Sequence, residues 1–340
     1  MRTVRDVHVR TLQVPAQHAG ALLERLAGER DPLFPTPAWP PMRFDRPLGV
    51  GAYGGHGPVR YRVSAYDPGR RIRFDFTSPA VQSRARGPRV SKSRTYGPSA
   101  SGPSASGAPA SEAPASGTGG YHEIRVEPLG DGRCRVVHEL EERMGAARTL
   151  LWITVLRPLH STVVEEVLDN VERVVTGRVR EPVRWSRWVR LLNGLQWERA
   201  RAAEIPAGAR LARTAFARTD FQDAWRMSLP PGMPREPGAW EGVLRGAFPV
   251  LGRADGEILL GKDAGHLDFR ASILVEEESV TLSTVVRTHH AGGRLYMAAI
   301  KPGHRLMARR MLRRTHRRLA LAAPSAGERE LAAPHTAGRA

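Results

Sequence analysis

The stretch Met144–Gly177, MGAARTLLWITVLRPLHSTVVEEVLDNVERVVTG, constrains the fold more than any other part of this chain. From Leu156 its apolar residues recur as Leu156, Leu159, Val163, Val164, Val167, Val171, Val174 and Val175, the spacing of one buried stripe on an α-helix. Glu165, Glu166, Asp169, Glu172 and Arg173 fall on the other side. Pro158 suits the first turn, where its missing N–H costs little, and Gly177 suits the end. A helix with one apolar stripe must cover something, and the segments before it are short alternating strands. A second amphipathic stretch, Pro302–Leu321, follows a second strand-rich region. In it His304, Met307, Ala308, Met311, Leu312, Thr315 and Leu319 share a face, with arginines on the others. The expected class is α+β, with two antiparallel sheets, each covered by a C-terminal helix.

The strands read as follows. Val4–Val14 alternates, with Val7 and Val9 on one face, and a short helix after Pro15 carries Ala19, Leu22, Leu23 and Leu26. Val59, Tyr61, Val63 and Ala65 alternate with polar residues. Asp67-Pro68-Gly69 turns the chain, and Ile72, Phe74 and Phe76 return. Residues 82–119 are rich in Ser, Ala, Pro and Gly; such a segment buries too little apolar surface to offset chain entropy, and is expected to be a disordered insert. The sheet resumes with Ile124 and Val126, then Cys134, Val136, His138 and Leu140. In the second half, Phe221–Leu229, Glu257–Leu260, Leu267–Val275 and Val280–Val286 read as strands and Pro237–Phe248 as a short helix. Gly292-Gly293 reads as a turn before Leu295–Ile300. The expected domains are 1–177, 209–323 and a frayed, disordered tail at 324–340. Between the domains lies a basic, Trp-rich connector, 178–208. Its Trp185, Trp188, Val189 and Leu192 share a helical face, expected to pack on protein rather than on a membrane.

The formal net charge is +18, but all but three of the 52 basic residues are arginine. The exceptions are Lys92, Lys262 and Lys301. Such a bias beside abundant Ala, Gly and Pro follows from GC-rich coding, so the charge is read first as composition and only second as weak, non-specific polyanion binding. The longest apolar run, Leu150–Leu156, is too short to span a bilayer. The N-terminus lacks an apolar h-region, and the lone Cys134 excludes an internal disulfide, which together suggest a cytoplasmic protein. Gly49, Gly51 and Gly54 form a literal G-x-G-x-x-G, but Pro58 and a strand follow where a dinucleotide site needs a helix. It reads as a glycine-rich turn, with His56 as a turn residue. No hydrolase, zincin, C-x-x-C or P-loop motif is present, and no Cys/His cluster suggests a metal, so no cofactor is expected. Glu139, Glu141 and Glu142 read as an outward, solvated charge run.

Two resemblances add to this. The segments GGHGPVRYRVSAYDPGRRIRFDF and LRPLHSTVVEEVLDNVE resemble the SRPBCC superfamily, the START-like or helix-grip fold, over residues 4–177. That superfamily includes lipid carriers and polyketide cyclases. The likeness implies a curved antiparallel sheet wrapped on a long helix, with an apolar cavity between them. GEILLGKDAGHLDFRASILVEE and STVVRTHHAGGRLYMAAIKPGHRLMARRML resemble an uncharacterised bacterial domain family, often fused behind a short-chain-dehydrogenase-like nucleotide-binding domain. Two helix-grip-like domains are therefore expected, each a curved antiparallel sheet packed on a long C-terminal helix. The expected function is non-enzymatic binding of an apolar, lipid- or polyketide-like small molecule. The expected wall is Tyr61, Val63, Phe74, Phe76, Val136 and His138, faced by Val164, Val167 and Val171. A cyclase- or dehydratase-like enzyme using His138 or Tyr61 is the second reading, and a basic adaptor on nucleic acid or membrane the third.

Overall fold

A computed structural model describes residues 1–77 and 119–333, apart from 245 and 247. The insert expected at 82–119 lies outside the described residues, save Gly119. The strands are β1 (Arg2–Leu12), β2 (Arg43–Phe44), β3 (Tyr53–His56), β4 (Val59–Asp67), β5 (Arg71–Phe76), β6 (Tyr121–Gly130), β7 (Arg133–Met144), β8 (Arg201–Ala203), β9 (Phe221–Ser228), β10 (Val250–Ala254), β11 (Glu257–Asp263), β12 (Leu267–Val275) and β13 (Ser279–Thr288). The helices are α1 (Ala16–Leu23), α2 (Ala146–Leu151), α3 (Arg157–Thr176), α4 (Arg187–Gln196), α5 (Arg210–Arg213), α6 (Ala291–Ala322) and α7 (Ala326–Ala332). The chain is α+β, with one seven-stranded and one six-stranded antiparallel sheet.

Two compact units divide the chain. The first comprises 1–30 and 42–154, the second 31–41 and 155–340. Helix α3 falls on the second unit's side, where the sequence reading has it in the first domain.

In the first unit the sheet order is β1-β7-β6-β5-β4-β3-β2. The glycine-rich run expected as a turn contains a strand, β3, which pairs with both β2 and β4. On β1 the alternation is as read but Val7 and Val9 are exposed, while Asp6 and Leu12 are buried on the opposite parity. The outer face of β6 and β7 carries a charge ladder. Glu139 accepts from Arg5 at 2.7 Å and Arg125 at 3.2 Å, and Glu127 from Arg125 at 2.8 Å and Arg135 at 2.9 Å. These guanidiniums hold both carboxyls below the usual range. Glu142 does not join this face: it shares parity with Leu140 and Met144, is buried, and pairs with Arg148 at 2.6 Å. Burial pushes its carboxyl up.

In the second unit the order is β10-β11-β12-β13-β9-β8. The strands read at Leu267–Val275 and Val280–Val286 are present as β12 and β13, and Ile273, Val280 and Leu282 pack with Trp225, Trp240, Ile258, Ala308 and Leu312 in the main core. The opposite face is closed by α5, whose first N–H groups, Leu211 and Ala212, donate to the buried Glu257 at 2.8 and 3.1 Å. Ser272 Oγ also donates to Glu257, at 2.5 Å.

Three expectations need correction here. Helix α6 starts at Ala291, not Pro302, so Leu295–Ile300 is helical and Pro302 lies within the helix. Gly293 is no turn: a Cβ there would collide with the His266 carbonyl, so glycine lets the helix begin tightly against the strand entrance. Residues 326–332 form α7 where a frayed tail is expected, with a full capping box between Ser325 and Glu328. Helix α3 ends as read, with Gly177 at φ 77° and Pro158 in the first turn.

Candidate functional site

The first sheet gathers six of the expected wall residues on one face. Cross-strand pairing sets Tyr61 opposite Phe76 and Val63 opposite Phe74, and β7 adds Val136 and His138. His122, which the sequence reading passed over, completes the set opposite Phe74. It shares parity with Ile124 and Val126, the signal that could have found it. Its ring stacks on Phe74 at 4.8 Å and meets Tyr61 edge-on at 4.4 Å. Its Nδ1 lies 3.3 Å from His138 Nε2, so one imidazole donates and the other accepts. Tyr61 OH lies 2.9 Å from His56 Nε2, which makes His56 a partner of the wall and not only a turn residue. Burial pushes the Tyr61 phenol well above its ordinary value, so it stays protonated and cannot act as a base at neutral pH. The remaining three expected residues, Val164, Val167 and Val171, are buried on α3, in the second unit.

The second unit holds a cavity of about 770 Å³ between the inner face of its sheet and α6. The C-terminal half of α6 is closed down by Ala308, Leu312 and Ala320 in the main core. Toward its N-terminus the helix offers Met297, Ile300 and Met307, with Met311 beside the closed part, and also Gly303, where a Cβ would meet nothing within 4 Å. Flexible methionines and a missing side chain leave that space unfilled. The sheet side is Phe269, Ala271, Leu282, Thr284 and Val286. Within this apolar lining the polar groups are few. Thr284 lies on the sheet wall, and His304 on the helix wall, with its Nε2 3.4 Å from Asp223 Oδ1. Asp223 also accepts from Trp225 Nε1 at 3.3 Å and sits opposite Thr284. A carboxylate on one ring nitrogen fixes the tautomer and orientation of the imidazole. Lys262, His266, Tyr296 and Arg310 also line the cavity. An apolar volume of this size with a few placed polar groups is the form small-molecule sites take.

A third arrangement was hidden from the sequence. Glu166, on the polar side of α3, accepts Trp39 Nε1 at 2.5 Å on one carboxylate oxygen and Trp185 Nε1 at 2.9 Å on the other. The two indoles lie 4.9 Å apart. Burial pushes the Glu166 carboxyl up to about 7 against the pull of both indoles, and the Asp169 charge adds to the rise. Nearby, Asn170 donates to the Leu33 carbonyl at 2.9 Å, and Asn193 to the Ala38 carbonyl at 3.1 Å. Residues 31–41 are thus fastened to the second unit by buried polar groups. The expectation that the connector packs on protein holds for Val189 and Leu192, which are buried, but Trp188 is 46% exposed.

A family model described as "Protein of unknown function (DUF2867)" matches residues 165–311, a span that contains most of the cavity wall. None of the curated proteins matches the sequence. Among solved structures, truncated norcoclaurine synthase from Thalictrum flavum is similar at 12% identity and a TM-score of 0.33, over 52% of this chain and 94% of that one. A protein from Thermobifida fusca is similar at 14% identity and a TM-score of 0.31, over 51% of this chain and 95% of that one. One from Nitrosospira multiformis is similar at 10% identity and a TM-score of 0.32, over 51% and 97%. Among the described residues, no helix is long and apolar enough to cross a membrane.

Proposed function

We propose that the protein binds an apolar small molecule, and that its principal site is the cavity between the second sheet and α6. The single observation that carries this reading is the mainly apolar, solvent-open cavity of about 770 Å³ with one oriented imidazole, His304, in its wall. Methionine-lined walls adapt to shape, and Thr284 and His304 can hydrogen-bond one polar group of a ligand. Titrating full-length protein with the neutral fluorophore N-phenyl-1-naphthylamine should give saturable fluorescence enhancement. Ala271→Phe, on the sheet wall, should abolish it while far-ultraviolet circular dichroism stays unchanged. A folded variant that binds as before moves the ligand elsewhere. No enhancement with the wild-type protein removes the reading.

The inner face of the first sheet, with Tyr61, Val63, Phe74, Phe76, Val136 and His138, is a second ligand surface in this reading. The His56–Tyr61 and His122–His138 pairs favour it, because they supply hydrogen-bonding groups beside aromatic rings. Val136→Trp should abolish binding there without unfolding the protein. Catalysis by a cyclase- or dehydratase-like route, with His138 or Tyr61 as acid/base groups, is the alternative, and with its phenol held protonated Tyr61 could serve there only as a donor. Weak, salt-sensitive attraction to polyanions goes with the net charge of +18 and is proposed only as a by-product.

A further inference from the structure

We infer that the cavity of the second unit selects amphipathic anions: ligands with an apolar body and one carboxylate. This rests on the reading of that cavity as a ligand site. The charged groups of its lining are all of one sign. Lys262 and Arg310 are both exposed at its wall, which places them where the cavity meets solvent, and neither pairs with an acid among the described residues. His266 and His304 add two imidazoles, and no Asp or Glu lines the space. The nearby carboxylates are committed. Asp223 is shared by His304 and Trp225, and Asp263 is paired with Arg270 at 2.6 Å.

A chain of net charge +18 carries stray cations everywhere, so sign alone decides little. Lys262 is the exception that matters. Lysine occurs at three positions in the sequence, against a composition that otherwise supplies arginine, and one of the three stands at this wall. A flexible ammonium at an apolar opening can keep its charge in water while its stem lies along the wall. It would meet a carboxylate there without the cost of burying either ion. The apolar body would then lie among Met297, Leu282 and Ile300, and a neutral ligand of equal size would gain only that part.

The test uses full-length protein and two ten-carbon probes, decanoate and decan-1-ol, by isothermal titration calorimetry at pH 8 and low salt. Decanoate should bind at least tenfold more tightly, which corresponds to about 1.4 kcal/mol. In the Lys262→Gln/Arg310→Gln double variant the two probes should bind alike. Equal or tighter binding of the alcohol to the wild-type protein overturns the inference but leaves the cavity reading standing. A margin that survives in the double variant assigns it to the global charge and also overturns the inference. If neither probe binds the wild-type protein, the cavity reading falls and the inference falls with it.

Discussion

Glu166 offers a perturbation whose sign can be worked out in advance. Its carboxyl is raised from an ordinary 4.5 to about 7 in the folded chain. The folded state therefore holds the proton more tightly than the unfolded state does. Stability from this group is fully present below pH 4.5, falls as pH rises toward 7, and is level above that. At about 1.4 kcal/mol for each tenfold change in proton affinity, the whole swing is about 3 kcal/mol. Glu166→Gln removes it. Glutamine has one carbonyl acceptor for two indole donors, so its amide N–H₂ must face one of Trp39 and Trp185. That mismatch should cost roughly 1–3 kcal/mol at pH 5. At pH 8 the variant escapes the buried charge, so the gap should close or invert. His316 works in the opposite direction, because burial lowers its imidazole and stability is lost as pH falls through 6.5. The readout is therefore the difference between wild-type and variant unfolding free energies. Urea titrations followed by tryptophan fluorescence should show that difference changing by roughly 2–3 kcal/mol between pH 5 and 8. A difference that stays flat across this range would refute the reasoning.

Further expectations concern α6 and α4. Gly303→Ala should stabilise the protein by about 0.5–1 kcal/mol in thermal unfolding, since a Cβ there meets nothing and alanine favours the helix. Gly293→Ala should destabilise it, by about 1–3 kcal/mol in the same assay, because the methyl group meets the His266 carbonyl. Trp188→Asp should change stability by less than about 1 kcal/mol, as the ring is half exposed, whereas Trp185→Ala, which removes a donor to Glu166, should cost more.

Much of the fold was legible because periodicity survives in one dimension. The stripe from Val163 to Val171 is buried, and the alternation along β12 and β13 marks their inner face. Where the reading failed, a local rule was overridden by a distant partner. Leu295–Ile300 looks like a strand after a glycine pair, yet Gly293 serves a close approach and the run is helical. Val7 and Val9 carried the apolar alternation on β1, but Asp6 and Leu12 take the buried side. Glu142 follows two acids on an outward run and is nevertheless buried, paired with Arg148. Glu166 sits among the charges of an amphipathic helix, and its partner Trp39 lies 127 residues away. The cavity was invisible for a different reason. It is defined by the space that Met307, Met311 and Gly303 leave, and composition does not record emptiness.

The membership of residues 31–41 in the second unit has a consequence for how the chain is made. That short segment leaves the ribosome long before Glu166, Asn170 and Asn193, the side chains that fasten it. It must wait, unpaired, while the whole of 42–154 is synthesised, and the loop it finally closes is long, which slows folding more than it weakens the product. A fragment beginning at Val155 would be born without it. Such a fragment would expose the acceptor oxygens of Glu166 and the amides of two asparagines to water where Trp39, Leu33 and Ala38 belong. The natural minimum for the second unit is therefore not a contiguous half of the chain. It can be reached by cutting within 42–154 and keeping both pieces, or by supplying residues 31–41 as a separate peptide.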